Sequence, residues 1–305
     1  MHFKKKKIVI GSRESPLAKA QVDIFLRELK KNKYKDLVNQ FETKFFKTTG
    51  DKFLSKKISE IGNKGLFTKE IDEAQLRSEI DIAVHSLKDL PTKLPSGLKV
   101  GAVLKREDPN DVIFSFKEKN IKFLKNGAVV GTSSIRRQVQ LKEMRPDLII
   151  KQIRGNLHTR ISKLKDQKYD AIVLAVAGLK RLKITENYKK FNTNTIIPAP
   201  GQGVIALVIK KDKYLNEIMN KINHEDTFIE SDCERRFLAA LDGSCKTPIG
   251  ALAKITKSNA KRLVFFRYMA SSMDGKNFVK NHTFFKIDNY KNMSFNLGKK
   301  IKKLI

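Results

Sequence analysis

The feature that most constrains the fold of this chain is a short apolar run that ends in glycine and hydroxyl residues and continues into a helical pattern. It occurs in residues 8–12, where Ser15 offers a helix cap, and again in residues 128–134, ahead of Arg136 and Arg137. A strand that feeds directly into a capped helix is the opening of a βα unit. Two such openings predict two similar α/β domains that face each other across a cleft.

Further apolar segments extend the same alternation of strands and helices. Phe41–Phe46, Asp81–Ser86 and Tyr169–Ala177 are predicted strands, and helical patterns lie between them. This rhythm is typical of a largely parallel sheet. The segment Val204–Ile209 is predicted to return to the first sheet.

The pattern changes after Lys210. A helix is predicted over Phe228–Leu241, and the alternating segments Leu263–Met269 and Phe278–Lys286 are typical of an antiparallel sheet closed by a last helix. The predicted fold class is therefore α/β, with two similar α/β domains around a cleft and a small α+β C-terminal domain. The predicted boundaries are residues 1–104 with 201–221 for domain 1, residues 105–200 for domain 2 and residues 222–305 for domain 3.

Composition excludes several classes of protein. The 305 residues are 40% hydrophobic, and no run reaches the roughly 18 apolar residues of a membrane span. The net charge of +31 is typical of a protein that binds nucleic acid. However, the lysines are scattered and no nucleic-acid-binding motif accompanies them, so neither nucleic acid nor membrane is expected as a partner. Two cysteines and no signal peptide favour a reducing, cytoplasmic location.

The predicted strand ends carry the residues suited to chemistry. Ligands of open α/β sheets bind at the carboxyl ends of strands, which places Ser86, Lys88 and Asp89 at the cleft. His85, inside the apolar strand, is interpreted as a core histidine with its hydrogen bonds satisfied. Arginine side chains bind carboxylates through two parallel hydrogen bonds, so arginines at several strand ends indicate an anionic ligand. These arginines are Arg13, Arg136, Arg137, Arg154, Arg160 and Arg181.

One of the two cysteines, Cys245, lies between glycines and a proline just after a predicted helix. Either it is a small buried apolar residue, or it is a reactive thiol whose pKa the adjacent Lys246 lowers. Cys233 is interpreted as a core residue of the helix.

The sequence lacks the motifs of several common classes of enzyme. It contains no P-loop, no G-x-G-x-x-G motif after a strand, no histidine and cysteine cluster with metal-ligand spacing, and no convincing Cys–His pair. The remaining candidate is a lone carboxylate, Asp89, in a basic site. Such a group serves as a general acid or stabilises a developing positive charge.

Taken together, these motifs resemble the porphobilinogen deaminase (hydroxymethylbilane synthase) family. The resemblance extends from about Ile8 to Ala253. It is specific because many separate motifs occur in the same order as in the family. They are Gly11–Ala18, Lys64–Phe67, Asp81–Pro91, Gly131–Arg137, Arg154–Arg160, Pro198–Gly203 and Glu234–Gly250.

The resemblance implies a fold of three α/β domains, of which the first two are similar to periplasmic solute-binding proteins. It implies a transferase of tetrapyrrole and heme biosynthesis that condenses four porphobilinogen molecules into the linear tetrapyrrole hydroxymethylbilane. It also implies a dipyrromethane cofactor that is held by a thioether to Cys245, and a monomeric protein without a metal. Asp89 matches the catalytic aspartate.

The remaining site residues are also implied by the resemblance. Those expected at the cofactor are Ser86, Lys88, Thr132, Ser134, Arg136, Arg137 and Arg160. Those expected at the substrate are Arg13, Ser15, Lys64, Ser133, Arg154, Arg181 and Gln202. One departure is Glu60, where the family pattern has a lysine. The alternative interpretation is a non-catalytic, two-lobed binding protein for an anionic small molecule.

Overall fold

The computed structural model describes residues 7–31, 38–52, 67–243, 247–258 and 261–305. Contacts divide the chain into two units. Unit 1 comprises Met1–Arg106 and Val204–Phe228, and unit 2 comprises Glu107–Gly203 and Ile229–Ile305.

Unit 1 is built on a five-stranded sheet. Its strands are β1 (Ile8–Arg13), β2 (Phe41–Phe46), β3 (Ile82–Ser86), β4 (Leu98–Val103) and β10 (Ile205–Lys210). The order is β2-β1-β3-β10-β4, with β1 parallel to β2 and β3, and β10 antiparallel to β3 and β4. The predicted return of the chain to the first sheet is confirmed, and the returning strand is the antiparallel one.

Helices cover both faces of this sheet. They are α1 (Pro16–Lys31), the single turn α2 (Thr49–Lys52), α3 (Lys69–Leu76) and α7 (Lys213–Ile222). Val22, Phe25 and Leu29 recur at helical spacing on α1, and all three are buried in one cluster with the strand residues Ile10 and Leu207. Burial of an apolar side chain of this size contributes about 1.5–3 kcal/mol, so this face determines how α1 packs.

Unit 2 repeats the architecture. Its first sheet consists of β5 (Asp111–Phe114), β6 (Val129–Gly131), β7 (Ile149–Lys151), β8 (Ala171–Ala175) and β9 (Tyr188–Lys190). The order β7-β6-β8-β5-β9 has the same parallel and antiparallel pairings as the sheet of unit 1, with β5 as the antiparallel strand. The matched topology confirms the prediction of two similar α/β folds from the two strand openings. The helices of this part are α4 (Ile135–Met144), α5 (Leu157–Lys165) and α6 (Val176–Arg181).

The C-terminal part is an antiparallel sheet with two helices. The strands β11 (Ile249–Ser258), β12 (Lys261–Ser271) and β13 (Phe278–Lys286) lie in chain order, and the helices are α8 (Glu225–Ala240) and α9 (Tyr290–Lys302). The Cys233 side chain is buried in the cluster between α8 and the sheet, and burial raises the pKa of its thiol. The prediction that Cys233 is a core residue is confirmed. Within the described ranges, no helix is long and apolar enough to cross a bilayer.

Helix α3 carries one carboxyl group on its buried face. Asp72 is only 5% exposed, and its Oδ1 atom has no hydrogen-bond partner among the residues that the structure describes. Burial raises the pKa of Asp72 from 3.8 to about 6. A carboxyl group whose pKa is higher in the folded than in the unfolded state costs stability as the pH rises from about 4 through 6.

We therefore expect Asp72→Asn to stabilise the protein at pH 8 and to leave it unchanged near pH 3.5. Two pKa units correspond to about 3 kcal/mol, which screening by water reduces to roughly 1–2 kcal/mol. Urea unfolding at several pH values measures the effect. Glu73→Gln, on the exposed face of the same helix, is the control. An Asp72→Asn effect that does not vary with pH would contradict the assignment.

Candidate active site

A pocket that is partly open to solvent lies in unit 1 at the carboxyl ends of β1 and β3. Several of the residues that the sequence predicts for the site line this pocket. The polar and aromatic side chains that line it are Ser12, Arg13, Ser15, Gln21, Phe67, Thr68, His85, Ser86 and Asp89. The carboxyl-end position is where open α/β sheets bind ligands.

Local hydrogen bonds shape the wall of the pocket. The Ser15 hydroxyl accepts from the backbone N–H of Ala18 at 3.2 Å, so the predicted N-cap of α1 is confirmed. Ser12 Oγ donates to the carbonyl of Val84 at 3.0 Å. The side chain of Gln21 donates to Ser86 Oγ at 2.7 Å and so joins α1 to the end of β3.

Asp89 ends a 3₁₀ turn, Leu87–Asp89, that directly follows β3. The turn is anchored because Leu87 is buried and its N–H donates to the carbonyl of Val204 at 3.0 Å. Asp89 is half-exposed and lines the pocket, and Lys88 beside it is also half-exposed. A carboxylate on a turn held by the core is well placed to act on a ligand in the pocket.

His85 differs from its sequence interpretation. It is buried in β3, as expected, but its Nε2 atom has no hydrogen-bond partner among the described residues. Burial, and secondarily the charge of Arg13, lowers the pKa of His85 to about 4. The imidazole is therefore neutral, and its polar atom is unsatisfied at the pocket wall. Apolar neighbours in the sequence predicted the burial of His85, but they gave no indication of its unpaired Nε2 atom.

Arg13 lies at the end of β1, where the sequence places it, and it is paired within unit 1. Its guanidinium donates to Asp51, with Nη2 at 2.5 Å from Oδ1. The ring of Phe67 lies under the guanidinium, 4.5 Å from its carbon. Neither partner was assigned from the sequence.

In unit 2 the hydroxyl residues at the end of β6 support the turn into α4. Ser133 Oγ donates to the carbonyl of Ile153 at 2.7 Å, and Thr132 Oγ1 accepts from the N–H of Ser134 at 3.2 Å. Ser134 occupies the N-cap position of α4, but its side chain makes no capping hydrogen bond. The expected serine cap is therefore formed at Ser15 and not at Ser134.

Arg136 and Arg137 are buried and share one carboxylate. Arg136 Nη2 lies 2.8 Å from Asp111 Oδ2, and Arg137 Nη2 lies 2.7 Å from Asp111 Oδ1. Gln202 donates to the same carboxylate at 2.9 Å. The Nε atom of Arg137 has no partner among the described residues. The sequence assigned both arginines to a bound anion, and it missed Asp111 because this residue is far from them in the chain.

Two opposing effects act on the pKa of the buried Asp111 carboxyl group. Burial alone would raise the pKa of Asp111, but the charges of Arg136 and Arg137 outweigh it and hold that pKa far below its usual range. The carboxylate therefore stays ionised, and it offsets part of the positive charge that the two arginines place inside the protein.

The sequence predicted the other arginines of unit 2 at strand ends, but Arg160 lies on α5 and Arg181 is the last residue of α6. Arg181 Nη2 donates to the carbonyl of Gly203 at 2.7 Å, and burial lowers the pKa of Arg181 to about 10. Arg160 Nε donates to the carbonyl of Gly155 at 2.9 Å. Arg154 is half-exposed just ahead of α5.

Two predicted site residues, Lys64 and Cys245, lie outside the described residues. The segments on both sides of Cys245 are described. Helix α8 ends at Ala240, and the chain turns at Asp242, which has a φ of 50°. The N–H of Gly243 then donates to the carbonyl of Leu238 at 2.9 Å. In the sequence, Cys245 comes between the end of α8 and the start of β11.

Comparison with known proteins identifies the family. Residues 8–217 match the family model described as the dipyrromethane cofactor binding domain of porphobilinogen deaminase, and residues 228–305 match its C-terminal domain. The chain belongs to the porphobilinogen deaminase family. Members of this family are transferases of porphyrin biosynthesis that carry a dipyrromethane cofactor, so the resemblance inferred from the motifs is confirmed.

Individual relatives agree with the family match. The porphobilinogen deaminase of Syntrophomonas wolfei is 44% identical over 269 residues, which cover 88% of this chain and 86% of the relative. That of Nitratiruptor is 42% identical over 287 residues, 93% of this chain and 89% of the relative. Among solved structures, substrate binding domain 2 of Lactococcus lactis GlnP aligns at a TM-score of 0.45 and 15% identity, over 72% of this chain and 88% of that one.

The alternative interpretation from the sequence was a non-catalytic, two-lobed binding protein. The family match extends over both the cofactor-binding domain and the C-terminal domain, and it favours the enzyme.

Proposed function

We propose that this chain condenses four porphobilinogen molecules into hydroxymethylbilane, with Asp89 as the catalytic residue. The observation that supports this most directly is the position of the Asp89 carboxylate in a pocket that also contains Arg13. Porphobilinogen has a pyrrole N–H, an aminomethyl group and two carboxylates. An aspartate beside an arginine offers complementary partners for the N–H and for one carboxylate.

Asp89 would act on the charge that develops when ammonia leaves. Breaking the bond between the methylene carbon and the nitrogen of porphobilinogen leaves positive charge spread over the pyrrole ring. A carboxylate that accepts the pyrrole N–H stabilises this charge more than it stabilises the neutral substrate. The anchored turn keeps this carboxylate in place, so little reorganisation is needed during the reaction.

The residues present fit an anionic cofactor. The unpaired His85 Nε2 at the pocket wall of unit 1 is a buried polar atom that a ligand with carboxylates and pyrrole N–H groups would satisfy. When bound, dipyrromethane supplies the pyrrole carbon to which substrate units are added. We propose that Cys245 binds it covalently, with Ser86, Lys88, Thr132, Ser134, Arg136, Arg137 and Arg160 around its side chains.

The remaining basic and polar residues would bind the carboxylates of the substrate. Each charge-assisted hydrogen bond to an arginine contributes about 1.5–3 kcal/mol, so several such positions hold a polyanion firmly. We propose these substrate-binding residues: Arg13, Ser15, Lys64, Ser133, Arg154, Arg181 and Gln202.

We propose a monomer in the cytoplasm, with porphobilinogen as its partner and domains at residues 1–104 with 201–221, 105–200 and 222–305. Light scattering on a sizing column tests the monomer.

Purified protein incubated with porphobilinogen is expected to release ammonia and a linear tetrapyrrole. Ammonia is measured with a coupled assay, and the tetrapyrrole is measured by absorbance after cyclisation and oxidation. Binding of porphobilinogen without release of ammonia, by protein whose intact mass shows the cofactor, would favour the non-catalytic alternative.

Cys245→Ser is expected to remove the covalent cofactor, because a hydroxyl at ordinary pH is a far weaker nucleophile than a thiolate. Intact-mass spectrometry of the purified variant should show the bare polypeptide. Cys233→Ser is the matched control and should keep the adduct, since the Cys233 thiol is buried and its pKa is raised. An adduct that persists in Cys245→Ser and disappears in Cys233→Ser would reverse the assignment.

A further inference from the structure

Asp51 is the one carboxylate that contacts Arg13 among the described residues, and its position suggests a specific task. Asp51 Oδ1 lies 2.5 Å from Arg13 Nη2, and Asp51 Oδ2 lies 3.4 Å from Arg13 Nε. The carboxylate thus approaches the guanidinium from the side. An arginine has five N–H groups, and this approach engages one on Nε and one on Nη2. Of the other three, one on Nη2 and one on Nη1 form the outer edge of the guanidinium.

Phe67 restrains the same guanidinium from a second direction. The guanidinium carbon lies over the Phe67 ring, 4.5 Å from the ring centroid. With one side edge paired and the ring of Phe67 against it, the Arg13 side chain has little freedom to rotate. Its outer edge remains for a ligand, and the side chain is still 26% exposed.

Asp51 is itself held in place. Its Oδ2 atom accepts from the Thr48 hydroxyl at 2.7 Å and from the Thr48 N–H at 3.2 Å, and Thr48 is fully buried. Burial would raise the pKa of Asp51, but the hydrogen bonds from Arg13 and Thr48 outweigh this effect and lower it. Asp51 is therefore an ionised, oriented carboxylate at neutral pH.

The turn that carries Asp51 is fastened to α3. The N–H and the hydroxyl of Thr49 both donate to Glu70 Oε1. Gly50 packs so closely on the Phe67 ring that an added Cβ would lie 2.2 Å from a ring atom, so only glycine fits at this position. The turn, Phe67 and α3 consequently form one support behind Arg13.

We propose that Asp51 is a positioning residue that holds the Arg13 guanidinium so that its outer edge binds a carboxylate of porphobilinogen. This inference rests on the proposed role of Arg13 in substrate binding. Asp51 acts through Arg13 and does not itself contact the substrate. A misplaced binding group weakens both binding and reaction, which is why such groups are held by a second set of residues.

The test compares Asp51→Asn with the wild type. Asparagine keeps the shape and can still accept from Thr48, but it loses the ionic pairing with Arg13. We expect KM for porphobilinogen to rise roughly tenfold, the equivalent of one charge-assisted hydrogen bond, with a smaller change in kcat. Calorimetric titration of porphobilinogen in an Asp89→Asn background, which turns over slowly, should show the same loss of affinity without relying on turnover.

Two further variants separate positioning from a merely structural role. In an Arg13→Lys background, Asp51→Asn should have little additional effect on KM, because lysine cannot form the two-pronged pair. Asp147→Asn removes a similar two-pronged aspartate–arginine pair, with Arg145, outside the pocket lining. That control should keep the wild-type KM.

Each outcome decides the proposal. A KM that rises only with Arg13 present supports it. An unchanged KM, or a loss of thermal stability with equal effects in both Arg13 backgrounds, shows a structural role and overturns it. A lower KM shows that Asp51 competes with the substrate for Arg13 and also overturns it. Failure of the wild type itself to bind porphobilinogen overturns the proposed function and this inference with it.

Discussion

Asp89→Asn is expected to lower kcat by about 10²- to 10⁴-fold, the range typical when a group that acts on charge or protons in the transition state is removed. The amide has nearly the same shape as the carboxylate but no negative charge. Affinity for porphobilinogen should change far less than kcat, because Arg13 and the rest of the pocket wall remain. Steady-state release of ammonia measures kcat, and calorimetric titration measures affinity.

Asp23→Asn makes the same chemical change at an exposed position on α1 and should leave kcat and affinity unaltered. An Asp89→Asn enzyme that turns over at a near-normal rate would remove Asp89 from the mechanism. A variant that loses affinity and turnover in equal measure would instead make Asp89 a residue of ground-state binding.

Asp111→Asn is expected to cost about 3–5 kcal/mol in the free energy of unfolding, because it leaves Arg136 and Arg137 buried without a counter-charge. All three side chains are at most 8% exposed. The pKa of Asp111 is far below its unfolded value, so its stabilising contribution is present above about pH 4 and decreases as the pH falls further. The deficit of the variant should therefore be constant between pH 5 and 8.

Urea unfolding of Asp111→Asn and Asp147→Asn gives the comparison. Asp147 also pairs with an arginine, Arg145, but at the surface, where water screens the charges. Asp147→Asn should therefore change the free energy of unfolding only slightly. Equal effects of the two substitutions would mean that the buried arginines are stabilised by their carbonyl partners rather than by Asp111.

Local patterns determined most of the secondary structure. The apolar spacing on α1, the alternation on β12 and β13, and the two strand openings all depend on contacts between near neighbours in sequence, and the structure confirms them. Strand β11 was missed because it begins with Ile249, Gly250 and Ala251, and glycine and alanine are depleted in strands. The four-residue strand β5 was missed because it is too short to show a period.

In the candidate site, too, the sequence predicted some features and missed others. Motif order was sufficient to place Asp89, Arg13 and Ser15, since each lies within a few residues of the strand end that carries it. The partners of these residues were not predictable: Asp51 is 38 residues from Arg13, and Asp111 is 25 residues from Arg136. His85 shows the same limit, because its burial was predicted and its unpaired nitrogen was not.

By itself, the sequence determined the family, the two βα openings and the position of Cys245 after a helix, and it predicted Asp89 as the carboxylate of the site. Only the tertiary structure decided which arginines are neutralised inside the protein and which one lines the pocket. The physical reason is that periodicity and capping act over a few residues. Charge pairing and desolvation depend on which distant segments the sheets bring together.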